Sequence, residues 1–322
     1  MGIVELRKFD DYNKFIKNEK SETSQCRFTI KDMEKYAVSA GGFSNWAVGT
    51  KGTNFYTALV KMAIEDGTNF TIGQDYKKSE QSIKTTISFF MGMIAAKAVA
   101  DKVYNIPYLF HLKDKQIIFS SSGKTPDFFG LANGKTPFIL EAKGTISNSP
   151  SKKVVINAKK QIEAINSIKI EGWSTSYSKR DINGHIITSC FEKDILTYYD
   201  IDPELNGKTD LTIDIDKAII LYYRNIMNLL MLNETNIYPI NENEDKYIMV
   251  EVGDYEIGLN YDIYSLLEEY KELYSDSENN IDINKFDFKE KYLQISRIAE
   301  KIQYVEYPDS HFSLSSDGIL CK

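Results

Sequence analysis

Helical and strand-like periods alternate along this chain, which predicts an α/β fold: a sheet with helices on its faces. Three observations carry that expectation. From about Ser79 to Tyr104, Ile83, Ile87, Phe90, Ile94 and Ala98 recur at spacings of 4, 3, 4 and 4, one apolar helical face. Short apolar runs follow, two of them joined by Asn133-Gly134, a strong hairpin signal. A second helical period spans Lys153 to Ile168, with Val155, Ala158, Ile162 and Ile165 on one side, before strand-like runs at 185–190 and 195–199.

In chain order, residues 1–76 read as a mixed N-terminal extension. Ser39 to Asn54, rich in Gly, Ser and Asn, reads as loop, with a helix near Tyr56 to Ile64. Pro107 follows the long helix. Strands are then expected at 108–112, 116–120, 127–131 and 137–143. A soft boundary falls near Gly207. The acidic α+β remainder, residues 207–322, holds an apolar helix near Ile215 to Leu232, strands at 247–252 and 255–259, and helices near 263–273 and 286–302. Ser275 to Asp282 is polar and reads as loop.

A chain of 322 residues with 42% hydrophobic and 26% charged residues has enough apolar surface for a large buried core. The three cysteines, Cys26, Cys190 and Cys321, are widely spaced and odd in number. Neither a disulfide framework nor a cysteine-rich zinc site is expected, and a reducing, cytoplasmic compartment is. The start, MGIVELRKFDD, lacks the apolar core of a signal peptide. The apolar stretches near residues 89–100 and 218–232 are interrupted by Lys97, Arg224 and two asparagines, so no membrane association is expected. The net charge of −7 excludes a uniformly basic nucleic-acid-binding protein. Yet residues 121–180 hold ten Lys/Arg against four Asp/Glu, a local +6, which leaves −13 on the rest.

That basic segment contains TPDFFGLANGKTPFILEAKGT, Thr125 to Thr145. In a strand, residues i and i+2 share a face, so Glu141 and Lys143 point the same way and Ala142 the other. Both charges end an apolar strand, where burial without a partner is costly. A metal ion and a phosphate would supply partners. Parity decides whether Asp127 joins them. A two-residue Asn-Gly turn pairs it with Leu140, on the wrong face. A three-residue loop Ala132-Asn133-Gly134 pairs it with Ile139, and then Asp127, Glu141 and Lys143 all face together. That loop, or a bulge elsewhere in the hairpin with the same effect, is predicted.

Pro126-Asp127, followed by Glu141-x-Lys143, resembles the signature of the PD-(D/E)xK nuclease superfamily. The likeness covers roughly residues 78–200 and neither end of the chain. It implies a restriction-endonuclease-like core over residues 77–206: a mixed central sheet flanked by helices, with N- and C-terminal additions. It also implies Mg²⁺- or Mn²⁺-dependent phosphodiester hydrolysis by in-line attack of water, with DNA favoured as substrate and anti-phage defence or restriction as the setting. Asp127 and Glu141 would bind the metal, aided by the Ala142 carbonyl, and Lys143 would support the water and offset developing charge. Relatives often carry a Gln on the next helix, which points to Gln161. Some add an acidic residue from the first helix, here Glu80, a weaker candidate whose carboxylate is better explained by capping and the helix dipole. Such a site suits the ion, which takes a few carboxylate oxygens and keeps reactive waters.

Lys152, Lys153, Lys159 and Lys160 on the second helix fit either a solvated face or contact with a phosphate backbone. The acidic C-terminal region suggests a homodimer or a docking partner protein. A partner-activated binding subunit and an RNA-cutting nuclease remain alternatives. Other patterns fail. Gly123-Lys124-Thr125 has Ile118 where a phosphate-binding loop needs Gly, and His111, His185 and His311 show no metal-ligand spacing.

Overall fold

In the computed structural model, which describes residues 1–41, 49–114, 116–120, 124–233, 235–239, 246–275, 283–302 and 312–322, the strand Thr136–Gly144 lies inside a large mixed sheet. Across that sheet the strands run Glu22–Phe28, Gly2–Phe9, Ile195–Ile201, Asn183–Glu192, Thr136–Gly144, Phe128–Ala132 and Phe110–His111. Gly2–Phe9 pairs parallel with Ile195–Ile201, and Asn183–Glu192 pairs parallel with Thr136–Gly144. The remaining pairs along this row are antiparallel.

Alternation along the interior strand assigns its two faces. Phe138, Leu140 and Ala142 join Ile87, Met91, Ile94, Ala95 and Ala98 of the long helix Gln81–Tyr104 in one apolar layer. Ile139 points the other way, packing with Val155, Ala158 and Ile162 of the helix Lys152–Ile162. Helices thus cover both faces. The long helix is apolar enough to cross a membrane by length and composition, but 67% of its most apolar window is buried within the fold.

The regions expected at either end are built into this architecture. Residues 2–9 and 22–28, within the expected N-terminal extension, supply two strands of the main sheet. Beyond Gly207, Thr209–Ile213 pairs with Ile165–Ile170 and Ile118–Ser120 in a second sheet. A third sheet holds Lys246–Val252, Tyr255–Asn260 and Ile319–Cys321. Near the C-terminus, Asp317 meets the buried Lys97 at 3.3 Å, and the hydroxyl of Ser313 accepts from the buried Lys35 at 2.6 Å. Removing one partner of such a pair strands the other charge in the core, so these contacts bind the chain's end to its first half.

Several local expectations are corrected. The stretch 39–54 is not all loop: it ends the helix Ile30–Gly41 and begins the helix Gly49–Ala63, with 42–48 outside the described residues. Packing of Leu59, Val60 and Ala63 overrides the poor propensity of Gly and Asn there. The helix expected over 153–168 stops at Ile162, and Ile165–Ile170 is a strand. Ile165 fits the helical period by accident, whereas Ile168 and Ile170 follow the period of two. The single helix over 215–232 is two, Ile215–Tyr222 and Arg224–Leu232, divided at Tyr223, whose buried hydroxyl donates to the Asp317 carbonyl at 2.6 Å. The helix expected over 286–302 is confined to Lys291–Ala299, and the one over 263–273 is broken into Tyr261–Leu267, a 3₁₀ turn and Lys271–Ser275. The polar loop falls largely outside the described residues, at 276–282.

One contact sets the depth of the long helix against the sheet. A Cβ on Gly92 would lie 2.5 Å from the carbonyl carbon of Lys143, and one on Gly144 would lie 1.5 Å from the carbonyl oxygen of Ser88. Both obstacles are backbone, which cannot rotate away. Gly92→Ala is expected to lower stability by about 1–3 kcal/mol, and Gly144→Ala by more, as read from urea unfolding midpoints. Midpoints equal to wild type would show that this contact is not tight.

Candidate active site

Asp127 immediately precedes the strand Phe128–Ala132, while Glu141 and Lys143 lie near the end of its partner. The register pairs Phe128 with Leu140 and Ala132 with Thr136. Asn133 and Gly134, with φ of 49° and 67°, make a two-residue turn closed by the Lys135 N–H to the Ala132 carbonyl at 3.0 Å. Lys135 is then one extra residue on the second strand. The expected loop Ala132-Asn133-Gly134 is displaced by one position. Asp127 stands opposite Glu141 rather than Ile139, but the bulge leaves the parity as expected.

The three charged groups converge. Lys143 Nζ bonds Glu141 Oε1, lies 3.6 Å from Asp127 Oδ2 and donates to the Ala142 carbonyl at 3.0 Å. The Ala142 N–H donates to Asp127 Oδ2 at 3.0 Å. Gln161, at the last turn of the helix Lys152–Ile162, donates its side-chain amide to Glu141 Oε1. The neighbouring Ile162 is anchored in the apolar layer, which fixes where that last turn meets the sheet.

Glu141 is the most enclosed group, at 0% exposure. Its Oε2 is buried with no hydrogen-bond partner among the described residues. Burial, then the charge of Asp127, pushes the Glu141 carboxyl up to about 7 against the pull of Lys143 and Lys113. Asp127 behaves oppositely. Burial would raise it too, but Lys143, Lys113 and the Ala142 N–H outweigh that and hold it below its ordinary 3.8. Two adjacent carboxyls are thus driven apart, a pattern concentrated at functional sites.

Two contributors were not identified in the sequence. Lys113 Nζ pairs with Asp127 Oδ1 at 2.5 Å. It is placed by the pairing of His111 with Phe128, reinforced by the Leu112 N–H to the Asp127 carbonyl at 2.9 Å. Thr188 is the register partner of Lys143 across the parallel pair, and its buried hydroxyl lacks a partner among the described residues. Both are non-local placements; the only local signal is a lysine directly after the apolar run 108–112.

The remaining candidates lie apart from this cluster. Lys152, Lys153 and Lys160 are exposed. The first two precede Gln161 by nine and eight residues, about 12–14 Å along the axis. Lys159 pairs with Glu163 and sits 4.8 Å over the Tyr12 ring. Glu80 is exposed at the start of the long helix and makes no side-chain cap bond. It is about 12 Å along the axis from Ser88, which abuts Gly144. His185 bonds Asp200 at 2.7 Å and His111 faces the Ala40 carbonyl at 3.2 Å, while His311 lies outside the described residues.

The donor set fits a hard divalent cation. Among the described residues no group of three or more His, Cys, Asp and Glu converges. Two carboxylates suffice for Mg²⁺ or Mn²⁺, which keep several waters. The orphaned Glu141 Oε2 is the acceptor such an ion would satisfy. The chain matches no family model, no curated protein and no solved structure.

The raised Glu141 carboxyl has a thermodynamic consequence. The folded protein holds that proton more tightly than the unfolded chain, whose ordinary value is 4.5. Its stabilising contribution is complete below 4.5 and is lost as pH rises through about 7. In chelator, Glu141→Gln should leave stability nearly unchanged at pH 4 and raise it at pH 8 by on the order of 2–3 kcal/mol. Thermal unfolding at the two pH values reads the difference. An equal effect at both would mean that Glu141 ionises normally.

Proposed function

We propose that this chain is a metal-dependent nuclease with a restriction-endonuclease-like core, hydrolysing phosphodiester bonds of nucleic acid, with DNA favoured. The observation that carries the reading is the convergence of Asp127, Lys143 and Gln161, from three elements, on Glu141, one oxygen of which takes Lys143 and Gln161 while the other is buried with no partner among the described residues.

Asp127 and Glu141, with the Ala142 carbonyl, would hold Mg²⁺ or Mn²⁺, which supplies Lewis acidity at the phosphoryl oxygens and an activated water. Lys143 anchors Glu141 and adds positive charge beside it, suited to stabilising charge that develops on the phosphoryl oxygens in the transition state. Gln161 fixes which Glu141 oxygen faces the lysine, leaving Oε2 for the ion. The exposed Lys152, Lys153 and Lys160 would take phosphates further along the substrate, and Lys159 would serve there only by leaving Glu163. Free Cys26, Cys190 and Cys321 suit a reducing cytoplasm. Anti-phage defence or restriction is the setting the family likeness suggests, with a homodimer or a docking protein on the acidic C-terminal region.

A second reading is a nucleic-acid-binding subunit that cuts only when a partner activates it. The complete enclosure of Glu141 favours it, because an ion must open that enclosure to bind.

Digestion of plasmid, linear duplex, single-stranded DNA and RNA with Mg²⁺, Mn²⁺ or EDTA tests the reading. Metal-dependent cutting is expected, reduced at least about 100-fold by Glu141→Ala and by Lys143→Ala. Cutting that persists at full rate in folded Glu141→Ala would refute the assignment. Wild type that cuts nothing would shift the account to the partner-activated subunit.

A further inference from the structure

Lys113 belongs to no part of the Pro126-Asp127/Glu141-x-Lys143 pattern, yet it makes a close contact with the first carboxylate. The Asp127 oxygens are differently engaged. Oδ2 receives the Ala142 N–H at 3.0 Å and has Lys143 at 3.6 Å, whereas Oδ1 faces Lys113 at 2.5 Å. The two lysines also differ in surroundings. The Lys143 side chain is 29% exposed and tied to Glu141, whereas the Lys113 side chain is 50% exposed and has Asp127 as its ion-pair partner. A divalent cation taking Asp127 Oδ1 competes with the Lys113 ammonium, because the two positive charges repel strongly when both approach that oxygen in a partly buried site. The displaced ammonium remains tethered beside the carboxylates, within reach of an anionic oxygen arriving there.

We infer that Lys113 is an exchangeable cation of this site: it competes with the divalent metal for Asp127 Oδ1 and, once displaced, binds a non-bridging oxygen of the substrate phosphate. The second half rests on the nuclease reading; the first does not. The exchange makes Lys113 a brake on metal binding and an aid to substrate binding, so its removal moves the two affinities in opposite directions. A lysine that merely supported the fold would weaken both.

The test uses the 322-residue chain as wild type, Lys113→Ala and Lys113→Arg, each checked for folding by circular dichroism. Calorimetry with Mn²⁺ alone should show about fivefold tighter binding in Lys113→Ala than in wild type. Fluorescence anisotropy with a labelled DNA duplex in Ca²⁺ should show about tenfold weaker binding in Lys113→Ala, with Lys113→Arg near wild type in both measurements. Unchanged or weaker Mn²⁺ binding in Lys113→Ala would overturn the competition. Duplex affinity unaffected by the substitution would overturn the phosphate contact. A wild type that binds Mn²⁺ but not DNA would count against the DNA reading and this phosphate contact while leaving the competition standing.

Discussion

A carboxylate sealed between two apolar layers is the constraint on which the rest of this site depends. Glu141 follows Pro137-Phe138-Ile139-Leu140, and the packing that buries those residues leaves its own side chain no water. An isolated buried carboxylate is expensive, and the surrounding groups answer that cost unevenly. Lys143 and Gln161 converge on one oxygen, and the other is left alone. A half-satisfied acid in an otherwise well-packed sheet is a local conflict between stability and chemistry, the kind expected at functional or strained positions.

The apolar layers also aim the site. The long helix meets the sheet through Gly92 and Gly144, backbone against backbone, which seats the end of the Glu141–Lys143 strand from one side. From the other, Val155, Ala158 and Ile162 seat the helix that carries Gln161. Between them the hairpin turn settles parity. One extra residue, Lys135, keeps Asp127 on the face of Glu141 and Lys143; without it the acid would point toward the long helix.

Legibility in the sequence followed the range of the interactions. The long helix, the hairpin and the strands Asn183–Glu192 and Ile195–Ile201 stand close to their expected bounds because their periods are local and strong. The shared face of Glu141 and Lys143 was readable from alternation; that of Asp127 came out as expected, but through a loop one position later than the one anticipated. What local reasoning missed depends on partners distant in sequence. The strand Gly2–Phe9 is defined by its parallel neighbour Ile195–Ile201, and Ile165–Ile170 by Thr209–Ile213. Lys113 reaches Asp127 only because His111 pairs with Phe128. Thr188 meets Lys143 across a parallel pair whose register no short segment encodes.

The central claim is that Asp127 and Glu141 form a divalent cation site, and anomalous scattering from crystals soaked in Mn²⁺ addresses it most directly. The account requires a peak within about 2.0–2.3 Å of an Asp127 oxygen and of Glu141 Oε2, absent from crystals of Glu141→Gln. Full occupancy elsewhere on the protein, with nothing between these two carboxylates, would contradict it.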